Sequence, residues 1–80
     1  MKIYLTIEEC LGTDGEFTSN VYPASSPQDA GEMCSSLIAE MIEMMDLDRN
    51  IDPEATRELE GDGWWYRVRW EEQDFPNPTN

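Results

Sequence analysis

The chain has 80 residues, of which 18 are Asp or Glu and 5 are Lys or Arg, giving a net charge of -13 with no histidine. Three Trp, three Tyr and 39% hydrophobic residues separate it from acidic disordered tails, so composition points to one small folded domain with an acidic surface. Such a charge repels nucleic-acid backbones and anionic lipid, which argues against direct binding to either. No stretch approaches the roughly 20 apolar residues of a membrane span, and no basic segment leads into an apolar run at the start; a cytoplasmic protein is the expectation.

Ile3, Leu5 and Ile7 alternate with Tyr4, Thr6 and Glu8, the period of a half-buried strand with the aliphatic set inward. The turn-rich Leu11–Glu16 segment follows. Phe17, Ser19 and Val21 then alternate with Thr18, Asn20 and Tyr22, which predicts a hairpin. Pro23 is expected to end the second strand because it cannot donate to a ladder. Ser26 is a helix cap, Pro27 fits the first helical position, and Asp29 stands where a capping-box acid would. Ala30, Met33, Cys34, Leu37, Ile38, Met41, Ile42 and Met45 form one apolar stripe, predicting a helix from about Pro27 to Asp46.

Residues 47–54 read as a loop. Residues 55–60 are open to two readings: a short helix starting at Asp52-Pro53, or a strand turning through Gly61-Asp62-Gly63 into the next one, which is favoured. In that last strand Trp64, Tyr66, Val68 and Trp70 share one face, and Trp65, Arg67, Arg69 and Glu71 the other. The expected fold is α+β: an antiparallel sheet of three to four strands, in the order β-β-α-(β)-β, with one long helix on one face. Residues 1–74 form the single domain, and 75–80 a loose tail.

The residues for catalysis are missing from this pattern. Without histidine the commonest general base and metal ligand is lost, and Gly12, Gly15, Gly61 and Gly63 are turn glycines rather than a phosphate loop. Cys10 and Cys34 read as buried thiols. Asp46, Asp48, Asn50 and Asp52 follow the helix at the spacing that opens a calcium loop, but Ile51 replaces the turn glycine and Arg57 the bidentate Glu, so the segment reads as a polar connection. No catalytic residue, metal or cofactor is expected.

Two surfaces remain. Asp29, Glu32, Ser36, Glu40, Glu43 and Asp46 occupy the helix's polar side, with Asp48 just beyond, and no Lys or Arg lies between Pro27 and Asp46. Glu40, Glu43 and Asp46 are spaced by about 4.5 Å along the axis at a rise of about 1.5 Å per residue. An ordinary solvated helix face would mix signs for pairing four residues apart; an unmixed one can occupy a groove that normally holds nucleic acid. The second surface is the open sheet face, where Trp65 would lie beside Arg67 and Arg69 with Lys2, Tyr4 and Thr6. Its alternatives are a local arrangement, in which Arg67 and Arg69 pair with Glu58 and Glu60 under Trp65, and a self-associating face that makes a homodimer.

In layout the chain resembles the small phage-encoded anti-CRISPR proteins and related inhibitors of bacterial defence. The resemblance is carried by the opening strand Lys2-Ile3-Tyr4-Leu5-Thr6-Ile7-Glu8-Glu9, the helix entry Tyr22-Pro23-Ala24-Ser25-Ser26-Pro27 and the closing Gly63-Trp64-Trp65-Tyr66-Arg67-Val68-Arg69-Trp70. It implies a stoichiometric, non-enzymatic inhibitor in a bacterial host cell, acting as a nucleic-acid mimic or steric block on a CRISPR-Cas effector subunit. Asp29, Glu32, Glu40, Glu43, Asp46 and Asp48 are the candidate partner-binding residues under this reading. An immunity or antitoxin-like protein for a basic nuclease, and a homodimeric accessory protein, are the alternatives.

Overall fold

Alternating strand formers, broken by glycine-containing turns and one capped helix, set the element order β1 (Lys2–Leu11), β2 (Phe17–Ala24), α1 (Pro27–Met44), β3 (Glu58–Gly61) and β4 (Trp64–Asp74). A computed structural model describes residues 2–74; the tail expected at 75–80 lies outside the described residues. The strands form one antiparallel sheet in the order β2-β1-β4-β3, and α1 packs on one face of it, so the fold is α+β with four strands. The hairpin reading of residues 55–60 holds from Glu58 onward, with Gly61 paired to Trp64 across the turn. Gly63 sits there at φ 79, a backbone conformation that glycine adopts without steric cost.

Helix α1 starts where local chemistry dictates. Ser26 is extended and its hydroxyl accepts the Asp29 backbone N–H at 3.1 Å, with Pro27 supplying a first-turn position that needs no donor. The Asp29 carboxylate takes the Ser25 hydroxyl rather than reaching back to the cap's own backbone. The helix stops two residues before the expected Asp46. Met45 is the cap, Asp46 turns left-handed at φ 53, and the Leu47 and Asp46 N–H groups donate back to the Ile42 and Glu43 carbonyls at 2.9 and 3.2 Å. These paired bonds satisfy the carbonyls that would otherwise be orphaned, and Leu47 folds back onto the core. Met45 therefore leaves the predicted apolar stripe for the exposed end of the helix.

Ala30, Cys34, Ile38 and Ile42 form the buried stripe of α1. Cys34, Ile38 and Ile42 meet Leu59, Tyr66 and Val68 of the sheet, with Cys10, Leu37, Met41, Leu47, Ile51 and Trp64 around them. Arg57 ties the loop after α1 to this assembly: its guanidinium donates to the Pro53 and Thr56 carbonyls at 3.1 and 2.9 Å and reaches Ser35 and Gly31 of the helix at 3.5 Å.

Strand β1 reverses the expected facing. Partners across an antiparallel ladder project to the same side, and Thr6, Glu8 and Cys10 pair with Trp70, Val68 and Tyr66, which lie on the helix side. Thr6 is 0% exposed, and its hydroxyl donates to the Ala30 carbonyl at 3.2 Å. Ile3, Leu5, Ile7 and Leu11 consequently lie on the face away from α1. Pro23 does not end β2: it pairs with Leu5 inside the strand, which is possible because β2 is an edge and its outer side has no ladder to serve.

Candidate binding surfaces

On the outer side of α1, the periodicity of the helix sets Asp29, Glu32, Ser36, Glu40 and Glu43 directly opposite the Ala30–Ile42 stripe, and all five are exposed. The carboxylates divide by context. Asp29 lies in the first turn, at the positive end of the helix, and Glu32 lies beyond it; each has a neighbour: Ser25 donates to Asp29, and Gln28 Nε2 donates to Glu32 at 3.3 Å. Glu40 and Glu43 lie towards the negative end, where the last turn carries no basic residue. Asp46 and Asp48 are exposed but lie past the helix cap, so they continue the acidic strip without belonging to the helical array. Asp48 and Asp52 each accept the backbone N–H two residues on, at 2.9 and 3.0 Å, and among the described residues no group of acids, Cys or His is arranged to hold a metal.

The open sheet face differs from its expected composition. Tyr4 is not beside Trp65: it lies on the helix side, edge-on to Trp70 with ring centroids 6.4 Å apart, because its partner in the ladder is Glu72. Lys2 joins it there, 3.5 Å from Glu72, and Thr6 is buried under the helix. Trp65, Arg67 and Arg69 do lie on the open face. The ion pairs of the two arginines run to Glu9 of β1, at 3.0 Å from Arg67 Nε and 2.7 Å from Arg69 Nη1, instead of to Glu58 and Glu60. Strand order makes Glu9 available, since β4 is flanked by β1 as well as by β3, and Arg67 faces Glu9 on one side and Glu58 on the other. The Arg67 hydrogen bond, reinforced by both positive charges, holds the Glu9 carboxyl below its ordinary range. Arg67 also stacks over the Trp65 ring at 4.4 Å, and the Phe17 ring lies tilted beside Trp65 with centroids 6.0 Å apart.

The residues that sequence reasoning placed inside complete this face. Ile3, Leu5, Ile7 and Leu11 of β1 adjoin Phe17, Val21 and Pro23 of β2; Phe17 and Val21 are 53% and 55% exposed, whereas Ile7 is 8% exposed and Ile3, Leu5 and Leu11 are half-buried. The local pattern pointed the other way: odd-numbered apolar residues run through both strands of the first hairpin, while the even-numbered positions carry Thr6, Glu8, Thr18 and Asn20 beside Tyr4, Cys10 and Tyr22.

One polar cluster lies between sheet and helix. The Glu8 carboxylate accepts Tyr66 Oη at 2.5 Å, Tyr22 Oη at 3.0 Å and Asn20 Nδ2 at 3.0 Å, beside a cavity of about 150 Å³ bordered by Leu37, Glu40 and Met41. Burial, followed by the bond to Glu8, pushes the Tyr66 phenol up; for Tyr22 the bond to Glu8 is the larger cause. Both effects favour the neutral phenols, which donate to Glu8. Cys34 is fully buried and Cys10 half-buried, both are free thiols, and desolvation raises the pKa of each. Among the described residues no helix is long and apolar enough to cross a membrane. No family model, curated protein or solved structure matches this chain.

Proposed function

We propose that the protein is a non-enzymatic binding protein whose acidic helix face occupies a basic, nucleic-acid-type surface on a protein partner. The observation that carries this reading is the placement of Glu40 and Glu43. They are exposed, with no Lys or Arg on α1 to pair with, and Glu43 lies in the last turn, where the helix dipole disfavours negative charge. Local stability would favour Lys or Arg at Glu43, and two carboxylates three residues apart repel, so the pair costs the fold a few tenths of a kcal/mol and points to a use outside the fold. Asp29 and Glu32 extend the strip towards the helix start, and Asp46 and Asp48 beyond its end. A partner built to bind phosphates would meet this strip with Lys and Arg, and a nucleic-acid-handling bacterial defence complex is the target class that fits the chain's layout.

The test is an affinity capture from bacterial lysate with two baits, the wild-type chain and the double variant Glu40→Lys/Glu43→Lys. The expected outcome is a nucleic-acid-binding protein retained by the first and lost with the second. A multisubunit nucleic-acid-guided complex assigns a defence target, whereas a single basic nuclease assigns an immunity-type role. Equal capture by both baits contradicts the helix-face reading.

A further inference from the structure

Helix α1 packs over Tyr66 and Val68 of β4 and Leu59 of β3, while β2 at the sheet edge keeps most of its residues exposed. The cavity of about 150 Å³ lies in between, with Glu8, Tyr22 and Tyr66 on its sheet side and Leu37, Glu40, Met41 and Met44 on its helix side. Two carboxylates border it, and among the described residues no cation pairs with either. We propose that this cavity is a pocket for one arginine side chain of the partner protein, with the guanidinium between Glu8 and Glu40 and the methylenes along Leu37, Met41 and Met44.

Size, charge and lining favour that occupant. The volume far exceeds the roughly 10–15 Å³ that admits one water and falls below the roughly 300 Å³ at which pockets for whole small molecules begin, so it fits the end of a side chain. The chain's own cations are engaged elsewhere: Lys2 pairs with Glu72, Arg67 and Arg69 pair with Glu9 on the opposite face, Arg57 donates to carbonyls of its loop, and Arg49 lines a separate cavity beside Glu43. Glu8 is held by neutral donors alone, Tyr22 and Asn20 on Oε1 and Tyr66 on Oε2. A carboxylate oxygen accepts about two hydrogen bonds, so Oε2 keeps one position for a further donor, and the bonds already made fix its orientation in advance. Less water screens a half-buried carboxylate than an exposed one, so a cation beside it gains more. Arginine suits the site better than lysine, because its planar, weakly hydrated guanidinium can lie along the Tyr22 ring and bond both carboxylates at once. Leu37, Met41 and Met44 offer apolar surface to the stem, and Met44, 68% exposed, is free to adapt to it. Glu40 belongs to both surfaces, so the inference rests on the proposed function for the source of the arginine, while the pocket's preference for a guanidinium does not.

The experiment titrates the isotope-labelled chain with N-acetylarginine methylamide at about 0.15 M salt, read by amide chemical shifts, with the lysine and the neutral citrulline equivalents as comparisons. The arginine probe should saturate, with its shifts concentrated at Glu8, Tyr22, Tyr66 and the helix turns from Leu37 to Met44. It should bind several-fold tighter than the lysine probe, and the citrulline probe should not saturate. Glu8→Gln should weaken the arginine probe at least about tenfold and Glu40→Gln about two- to fourfold. Glu54→Gln, which removes one charge from an exposed site outside the cavity, should leave it unchanged. Glu40 is exposed, so its variant keeps the fold and decides the matter together with the shift map if Glu8→Gln disturbs the thermal transition. Shifts spread evenly over the acidic surface, equal binding of the arginine and lysine probes, or a folded Glu8→Gln chain that binds the probe like the wild type each overturn the pocket. Used as a bait in the lysate capture, a folded Glu8→Gln chain that retains the partner undiminished overturns the partner's arginine as its occupant. The two readings fail separately: a failed pocket leaves the capture lost with Glu40→Lys/Glu43→Lys intact, whereas a chain that binds the arginine probe yet captures equally with both of those baits keeps the pocket and loses the helix-face reading.

Discussion

Placing a carboxylate at Thr6 and, separately, at Leu5 tests which face of β1 meets the helix. Thr6 is 0% exposed and its hydroxyl donates to the Ala30 carbonyl at 3.2 Å. Thr6→Asp removes that bond, worth about 1 kcal/mol, and buries an unpaired charge against a carbonyl oxygen at a further cost of about 3–5 kcal/mol. The sum is comparable to the whole stability of a domain this size, about 4–12 kcal/mol. Leu5 is half-buried on the other face, so Leu5→Asp forfeits most of a leucine's burial, roughly 1–2.5 kcal/mol, and sets a solvated charge across from Glu71 at a further few tenths of a kcal/mol. Urea denaturation followed by far-UV circular dichroism should show Leu5→Asp folded with a lowered midpoint. Thr6→Asp should be largely unfolded without denaturant. The reverse order would mean that Ile3, Leu5 and Ile7 form the core side of the strand, and the open face described above would not exist.

Replacing Asp46 by Gly relieves a left-handed backbone in an L residue at φ 53 and should stabilise the fold by about 0.5–1 kcal/mol, raising Tm by about 4 °C; an unchanged or lower Tm would contradict the cap assigned here. Glu9 has a carboxyl pKa lowered in the folded state by Arg67 and Arg69, so its contribution is present above the ordinary value of 4.5 and is lost as pH falls below it. Glu9→Gln should therefore flatten the acid limb of the stability curve, read by urea midpoints between pH 5 and about 2.5. Tyr66 is raised in the folded state from an ordinary value of 10.0, so its neutral phenol favours folding fully below pH 10 and progressively less above it. Tyr66→Phe should remove that alkaline slope and cost about 1–2 kcal/mol at neutral pH through the lost bond to Glu8.

Local chemistry was legible in this chain and long-range pairing was not. Ser26-Pro27 fixes the helix start by groups within one turn, and the inward phase of Trp64, Tyr66 and Val68 follows from a strand whose other face carries Arg67 and Arg69. The phase of β1 was hidden because it is a central strand with apolar residues on both faces: Tyr4 and Cys10 on one, Ile3, Leu5 and Ile7 on the other. The partner of the arginines depended on strand order, which no local pattern encodes: β1 beside β4 sets Glu9 opposite Arg67 on one side as β3 sets Glu58 opposite it on the other, and the ion pairs run to Glu9. Asp46 looked helical because its acid continued the spacing of Glu40 and Glu43, while the stop came from backbone bonds and the inward fold of Leu47. The acidic helix side itself was readable, since it follows from period and composition. What the structure adds is the contrast between Asp29, which suits the first turn, and Glu43, which sits unfavourably in the last, with Glu32 and Glu40 between them.

The most direct test of the central claim is competition between this protein and nucleic acid for the captured partner, measured as the partner's affinity for its nucleic acid at increasing concentrations of the chain. The account predicts mutually exclusive binding that weakens as salt rises. It also predicts a loss of about 2–3 kcal/mol, roughly 30- to 150-fold, for Glu40→Lys/Glu43→Lys, with thermal stability equal to or above the wild type. A ternary complex, with nucleic acid and wild-type chain bound together at undiminished affinity, would contradict it.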